Sequence, residues 1–165
     1  MKTVADLIDR NDAYYPRAEA FVMEDKRVTY GDFASRSRKL ADALYRLGMC
    51  SQERIGILSS NNIEYFEIYG ACEMAGYIAA LYNFRSAPPE IAYLFKDSAP
   101  RVVIFEIQFT EAIERLHTQF KSIDHWICIG NTAPDWAQTY ETLLESGESK
   151  GPPIRPKAQD YAYLF

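Results

Sequence analysis

The sequence predicts an α/β fold: a mainly parallel sheet with helices on both faces, preceded by an N-terminal helix and a β-hairpin. Two observations predict it. Four short apolar runs, Ile55 to Leu58, Tyr77 to Leu81, Val102 to Phe105 and Trp126 to Ile129, alternate with segments of helical periodicity, the pattern of strand, helix, strand units. The runs are also apolar nearly throughout, as strands covered on both sides must be. The composition allows the core this requires: 48% of the 165 residues are hydrophobic and 14% aromatic, and a chain of this length can bury about 70% of the surface its unfolded form exposes.

Taken in order, Thr3 followed three residues later by Asp6 starts a helix whose Val4, Leu7 and Ile8 share a face, and Pro16 requires it to stop by Tyr15. Ala20 to Met23 and Arg27 to Tyr30 flank the polar Glu24, Asp25 and Lys26, which predicts a hairpin. Thr29 caps a second helix, with Asp32 at its third position and Phe33, Leu40, Leu44 and Leu47 at helical spacing up to Gly48. Between the first two apolar runs, Asn61 with Glu64 is expected to cap a helix that is apolar almost all round through Ile63, Phe66, Ile68, Tyr69, Cys72 and Met74. Such a helix is buried on more than one side. Pro88 and Pro89 open the next helix, with Ile91, Leu94 and Phe95 toward the core, and Thr110 opens another through Ile113, Leu116 and Phe120. Gly151, Pro152, Pro153 and Pro156 then mark an extended stretch. Residues 1–147 are therefore expected to form an N-terminal α/β subdomain. Residues 148–165 are expected to be a proline-rich linker and the entry of a new strand over Asp160 to Phe165, which reads as the end of a fragment.

Several function classes are excluded on charge and motif. The 18 basic and 23 acidic residues give a net charge of -5, with no basic run, so sequence-blind nucleic-acid binding is not expected. Cys50, Cys72 and Cys128 are odd in number and far apart, which reads as reduced thiols in the cytoplasm, Cys72 and Cys128 packing as small apolar residues. Asp6, Asp9, Arg10 and Asp12 interrupt any secretory leader. The longest uncharged stretch, Met74 to Phe84, falls short of the roughly 18 residues a membrane helix needs. No G-x-G, G-x-x-x-x-G-K or G-x-S-x-G occurs, so neither a glycine-rich phosphate cradle nor a hydrolase elbow can be drawn. His117 and His125 lack clustered partners in sequence and read as surface or helix-end residues; no metal site is expected.

The informative stretches are Val28-Thr29-Tyr30-Gly31-Asp32-Phe33, Leu40-Ala41-Asp42-Ala43-Leu44 through Leu47-Gly48, Glu53-Arg54-Ile55-Gly56-Ile57-Leu58, Asn61-Asn62-Ile63-Glu64, Ala75-Gly76-Tyr77, Asn83-Phe84-Arg85 and Pro89-Glu90-Ile91-Ala92-Tyr93. In this order and spacing they resemble the N-terminal region of the adenylate-forming acyl-CoA synthetases, the AMP-dependent synthetase and ligase family, over nearly the whole chain. The resemblance implies a parent ligase that activates a carboxylic acid with ATP and magnesium to an acyl-adenylate, then passes the acyl group to coenzyme A. It also implies that Asp160 to Phe165 runs into a Ser/Thr/Gly-rich loop that grips the ATP phosphates, a loop this chain does not contain. The chain by itself is thus expected to be non-catalytic and to bind none of these cofactors. Its expected partners are the rest of the parent chain, the parent's acid substrate and, through uncovered apolar surface, itself.

Arg85 is the one residue to which the resemblance assigns a ligand, the nucleotide phosphate of coenzyme A; no catalytic residue falls in this stretch. The matched stretch departs from the family pattern at two places. Gln52-Glu53 stands where the family usually has Gly-Asp, and Phe84 stands where the residue before the arginine is commonly proline, which is expected to relax that loop. From the residues alone Arg85 also reads as a solvated loop arginine pairing with Glu90 or capping a neighbouring carbonyl. Two other readings of the chain remain open: a self-standing interaction module built on the same half-fold, and a flavodoxin-like small-ligand domain.

Overall fold

The computed structural model describes residues 2–165. Helix α1 (Val4–Tyr14) begins in a capping box: Asp6 N–H donates to Thr3 Oγ1, and the Asp6 carboxylate accepts from the Thr3 N–H at 3.1 Å. It closes at Tyr15, ahead of Pro16. Strands β1 (Glu19–Met23) and β2 (Lys26–Thr29) pair antiparallel around Glu24-Asp25 as a separate two-stranded sheet. Helix α2 (Tyr30–Arg46) starts at Thr29, whose hydroxyl accepts from Asp32 N–H at 3.1 Å.

The main sheet contains β3 (Arg54–Leu58), β4 (Ile78–Leu81), β5 (Val102–Glu106), β6 (His125–Ile129), β7 (Gln138–Thr139) and β8 (Tyr163–Leu164), in the spatial order β7-β6-β5-β3-β4-β8. Every pairing in it is parallel. Successive residues of each central strand enter opposite cores. Ile55, Ile57, Val102, Ile104, Ile127 and Ile129 pack with α2, α3 (Ile63–Ala75) and α6 (Tyr140–Glu145). Leu58, Val103, Phe105, Trp126 and Cys128 pack with α4 (Pro88–Ser98) and α5 (Thr110–Gln119). This two-sided burial is why the strands carry no polar face.

The cap of α3 is Asn62, one residue later than the sequence suggests: its Oδ1 accepts from Tyr65 N–H at 2.7 Å, which only this position satisfies. Leu94 is half-buried where Ile91 and Phe95 are fully buried. Helix α3 is buried against several neighbours, as its apolar circumference requires. At Gly70 it approaches α2 so closely that a Cβ would strike the Ser37 side chain and lie 2.9 Å from the Phe33 ring. It ends at Gly76, whose φ of +73° closes the last turn onto Cys72.

Strand β7 and helix α6 are absent from the sequence reading. Two residues and six residues are too short for periodicity to register, although Thr139 caps α6 and Tyr140, Leu143 and Leu144 are buried. Residues 148–165 lie along the domain: Ile154 packs on the core, Arg155 pairs with Asp9 at 2.6 Å, and β8 pairs with β4. Among the described residues no helix is long and apolar enough to cross a membrane.

One buried charge joins three helices. Glu67 on α3 is 1% exposed, accepting from Arg36 Nε of α2 at 2.6 Å and from the buried Tyr140 hydroxyl of α6 at 2.9 Å, while Arg36 also reaches Glu141. Burial raises the Glu67 carboxyl above its ordinary 4.5, and the hydrogen bonds and charge of Arg36 and the Tyr140 bond counter only part of the rise. Arg36→Leu should therefore cost about 3 kcal/mol at pH 7, because it strands a buried carboxylate. A carboxyl raised in the folded state is least unfavourable when protonated, so the deficit should shrink as pH falls toward 4.5. Urea midpoints of both proteins at the two pH values check this, and an equal deficit at both would contradict it.

Candidate functional site

From β3 the chain crosses to β4 on one side, then returns to β5 on the other side of β3. The connections diverge there, which makes the carboxyl ends of β3 and β5 the topological switch point, where open parallel sheets bind ligands. Of the residues that meet at this point, the sequence singles out only Asn62, within Asn61-Asn62-Ile63-Glu64. Glu106, the last residue of β5, turns Oε1 toward the segment after β3 and accepts from Ser59 Oγ at 2.6 Å, Ser60 Oγ at 2.7 Å and Asn62 Nδ2 at 2.9 Å, and from the Ser60 N–H. Its Oε2 accepts from Gln108 Nε2 at 2.6 Å. Partial burial opposes ionisation, but the hydrogen bonds from Ser59, Ser60 and Gln108 outweigh it and hold the carboxyl below its ordinary 4.5. With both oxygens occupied, Glu106 fastens the end of β5 to the segment after β3 and is not a free base. The available signal was an acid closing an apolar run, opposite the polar Ser59-Ser60-Asn61-Asn62 that closes the preceding strand.

Arg85 lies at this same end of the sheet, after β4. Asn83 shapes its loop: Oδ1 accepts from Arg85 N–H at 3.0 Å and the Asn83 carbonyl accepts from Ser86 N–H at 2.9 Å, which puts Phe84 and Arg85 at the centre of a turn. This Asx-type turn does the bending that a proline would otherwise impose. Phe84 sits 6.0 Å from Phe109, and the Arg85 guanidinium lies over the Phe84 ring at 5.4 Å. Glu90 is committed elsewhere, accepting from Ala87 N–H at 2.8 Å, and no ion pair among the described residues includes Arg85. An exposed, unpaired guanidinium is a fit receptor for a phosphate. A groove of about 300 Å³ lined by Pro88, Gln108, Phe109, Glu111, Ala112 and Arg115 lies between the start of α4 and the turn after β5.

Glu53-Arg54 is at the opposite end of the sheet and is structural. Glu53 accepts from Cys50 N–H and pairs with Arg101 at 2.9 Å, while Arg54 donates to the carbonyls of Ser98 and Ala99 at 2.9 Å and so caps α4. His117 stacks on Trp136 at 4.3 Å, and His125 opens β6. Cys72 and Cys128 are buried, and burial pushes the Cys128 thiol up to about 11. Among the described residues no group of three or more His, Cys, Asp or Glu side chains is placed to hold a metal ion.

Glu106→Gln should cost about 1–3 kcal/mol at neutral pH, since it replaces charge-assisted bonds and turns a donor toward Gln108. A depressed carboxyl stabilises the fold above its ordinary value of 4.5 and loses that contribution as pH falls through the folded value. Denaturation curves of the two proteins should accordingly converge as pH falls below 4.5 and through the folded value. Curves that stay parallel would show that the charge contributes nothing.

The profile of a family described as AMP-binding enzyme matches residues 8–165. A 3-methylmercaptopropionyl-CoA ligase of Ruegeria lacuscaerulensis is 28% identical over 156 residues, covering 88% of this chain and 29% of that protein. A fatty acyl CoA synthetase of Mycobacterium tuberculosis superposes with a TM-score of 0.85 at 24% identity, covering 99% of this chain and 32% of that one. The anthranilate CoA ligase AuaEII, solved with anthranoyl-AMP, gives a TM-score of 0.92 at 21% identity, covering 98% and 31%. The chain thus spans about three tenths of the length of the proteins it matches.

Proposed function

The chain belongs to the AMP-binding enzyme family, and from that premise we propose that it is the N-terminal part of an ATP-dependent acyl-CoA synthetase, non-catalytic by itself. The carrying observation is the match over residues 8–165 to a family whose relatives include CoA ligases about three times as long. The proposed parent reaction makes an acyl-adenylate from a carboxylic acid and ATP with magnesium, then transfers the acyl group to the coenzyme A thiol. The residues in hand fit one part of that chemistry. Arg85 offers a phosphate an unpaired guanidinium on a loop fixed by Asn83, whereas no glycine-rich cradle exists for the triphosphate. Transition-state stabilisation at a transferring phosphate depends on positioned donors, so the triphosphate grip has to come from the chain that follows in the parent.

Two outcomes test this reading. The purified 165 residues should catalyse no acid-dependent exchange of pyrophosphate into ATP, while the parent should; exchange by the short chain would refute the proposal. In the parent, Arg85→Ala should remove a charge-assisted contact of about 1.5–3 kcal/mol, a roughly ten- to hundred-fold weaker hold on coenzyme A. Adenylation should be nearly unchanged, because coenzyme A does not take part in it. Equal loss in both half-reactions would assign Arg85 to the fold, and no loss in either would remove it from the site.

Exposed apolar side chains support self-association of the short chain. Tyr161 is 77% and Phe165 92% exposed, beside Tyr163 and Leu164 on an edge strand. Light scattering should show mass rising with concentration; a monodisperse monomer at high concentration would contradict it.

A further inference from the structure

Gln52 is a strained residue with a task. It occupies the turn between α2 and β3 with φ at +67°, a region that side chains bearing a Cβ rarely adopt. Its carboxamide is fully engaged. Oε1 accepts from Tyr161 N–H at 2.9 Å, and Nε2 donates to the Tyr161 carbonyl and to the Gly76 carbonyl, each at 3.0 Å. The Gln52 backbone N–H reinforces the same Gly76 carbonyl at 2.7 Å. Tyr161 has no strand beside it: the β4–β8 ladder begins at Ala79 opposite Tyr163, with Ala79 N–H donating to the Ala162 carbonyl. One side-chain amide therefore bonds both backbone groups of Tyr161, as the rung of a neighbouring strand would.

We infer that Gln52 is a positioning residue whose carboxamide stands in for a missing strand at Tyr161 and so fixes the register and direction in which the chain enters β8. Strand β8 is two residues long and lies at the sheet's edge, and its other anchors are few: the Tyr163 hydroxyl on Glu73 and the Asp160 carboxylate on Lys157 N–H. Fixing Tyr161 sets the line along which Tyr163 and Leu164 leave the domain. The functional half of the inference rests on the proposed reading, in which the stretch after β8 grips the ATP phosphates; the clamp itself rests on this chain alone.

Amide hydrogen exchange on the 165-residue chain tests the clamp, because Tyr161 N–H is the proton that Gln52 Oε1 holds. Gln52→Gly removes both the side chain and the left-handed strain, and Gln52→Met keeps the strain and bulk but not the bonds. Both should speed exchange at Tyr161 at least tenfold and loosen Tyr163 and Leu164, with Ile57 and Ile104 in the central strands unchanged. Gln52→Gly should do so without lowering the melting temperature. Unchanged exchange at Tyr161 in both variants overturns the clamp, and so does a uniform rise across the chain, which would make Gln52 a general support of the fold. In the parent the same substitutions should raise the KM for ATP several-fold and leave the KM for the acid alone. Faster exchange with an unchanged KM for ATP would keep the clamp and overturn its link to the phosphates.

Discussion

A parallel sheet must be covered on both faces, and the rest of this structure follows from that constraint. Parallel strands require crossover connections, the crossovers are helices, and helices placed on both sides leave no strand face for water. The consequence is written into β3, β5 and β6, where neighbouring residues enter separate cores and both cores are apolar. Fully burying each such side chain is worth about 1.5–3 kcal/mol, so a polar residue in these strands would be costly on either face. Polar chemistry is thereby displaced to the strand ends, where Glu106, Ser59, Ser60 and Asn83 lie.

Two carboxylates, one buried and one half-buried, connect elements that apolar packing alone would leave free to slide. Glu67 ties α3 to α2 and α6 through Arg36 and Tyr140, and Glu106 ties the end of β5 to the segment after β3. The two carboxylates sit on opposite sides of the same balance. Around Glu67 burial dominates and raises the carboxyl; around Glu106 donors dominate and lower it. Acidification therefore relieves one and releases the other.

Legibility in the sequence followed signal length. The 17 residues of α2 carry enough periodicity, and the four unbroken apolar runs recur regularly enough between helices, to be read directly. A cap is a single hydrogen bond, which is why Asn61 and Asn62 could not be told apart by pattern. β7 and α6 are shorter than any period. Arg85 is singled out by its motif alone, and the structure adds what the motif does not contain, an Asx turn in place of a proline and, among the described residues, no paired carboxylate. Glu106 and Gln52 act through partners 46 and 109 positions away, and no local pattern encodes such distances. Gln52 stands where the family usually has glycine, and in the fold it exchanges backbone ease for three hydrogen bonds.

The central claim is that this chain is the first part of a longer adenylate-forming ligase. Sequencing the coding region past the Phe165 codon in the source genome tests it most directly. The account predicts an open frame that runs at once into a Ser/Thr/Gly-rich segment and continues for roughly twice the present length again, in keeping with relatives of which this chain spans about three tenths. A stop codon directly after Phe165, with no such frame beyond it, would contradict the claim and favour a self-standing module built on the same half-fold.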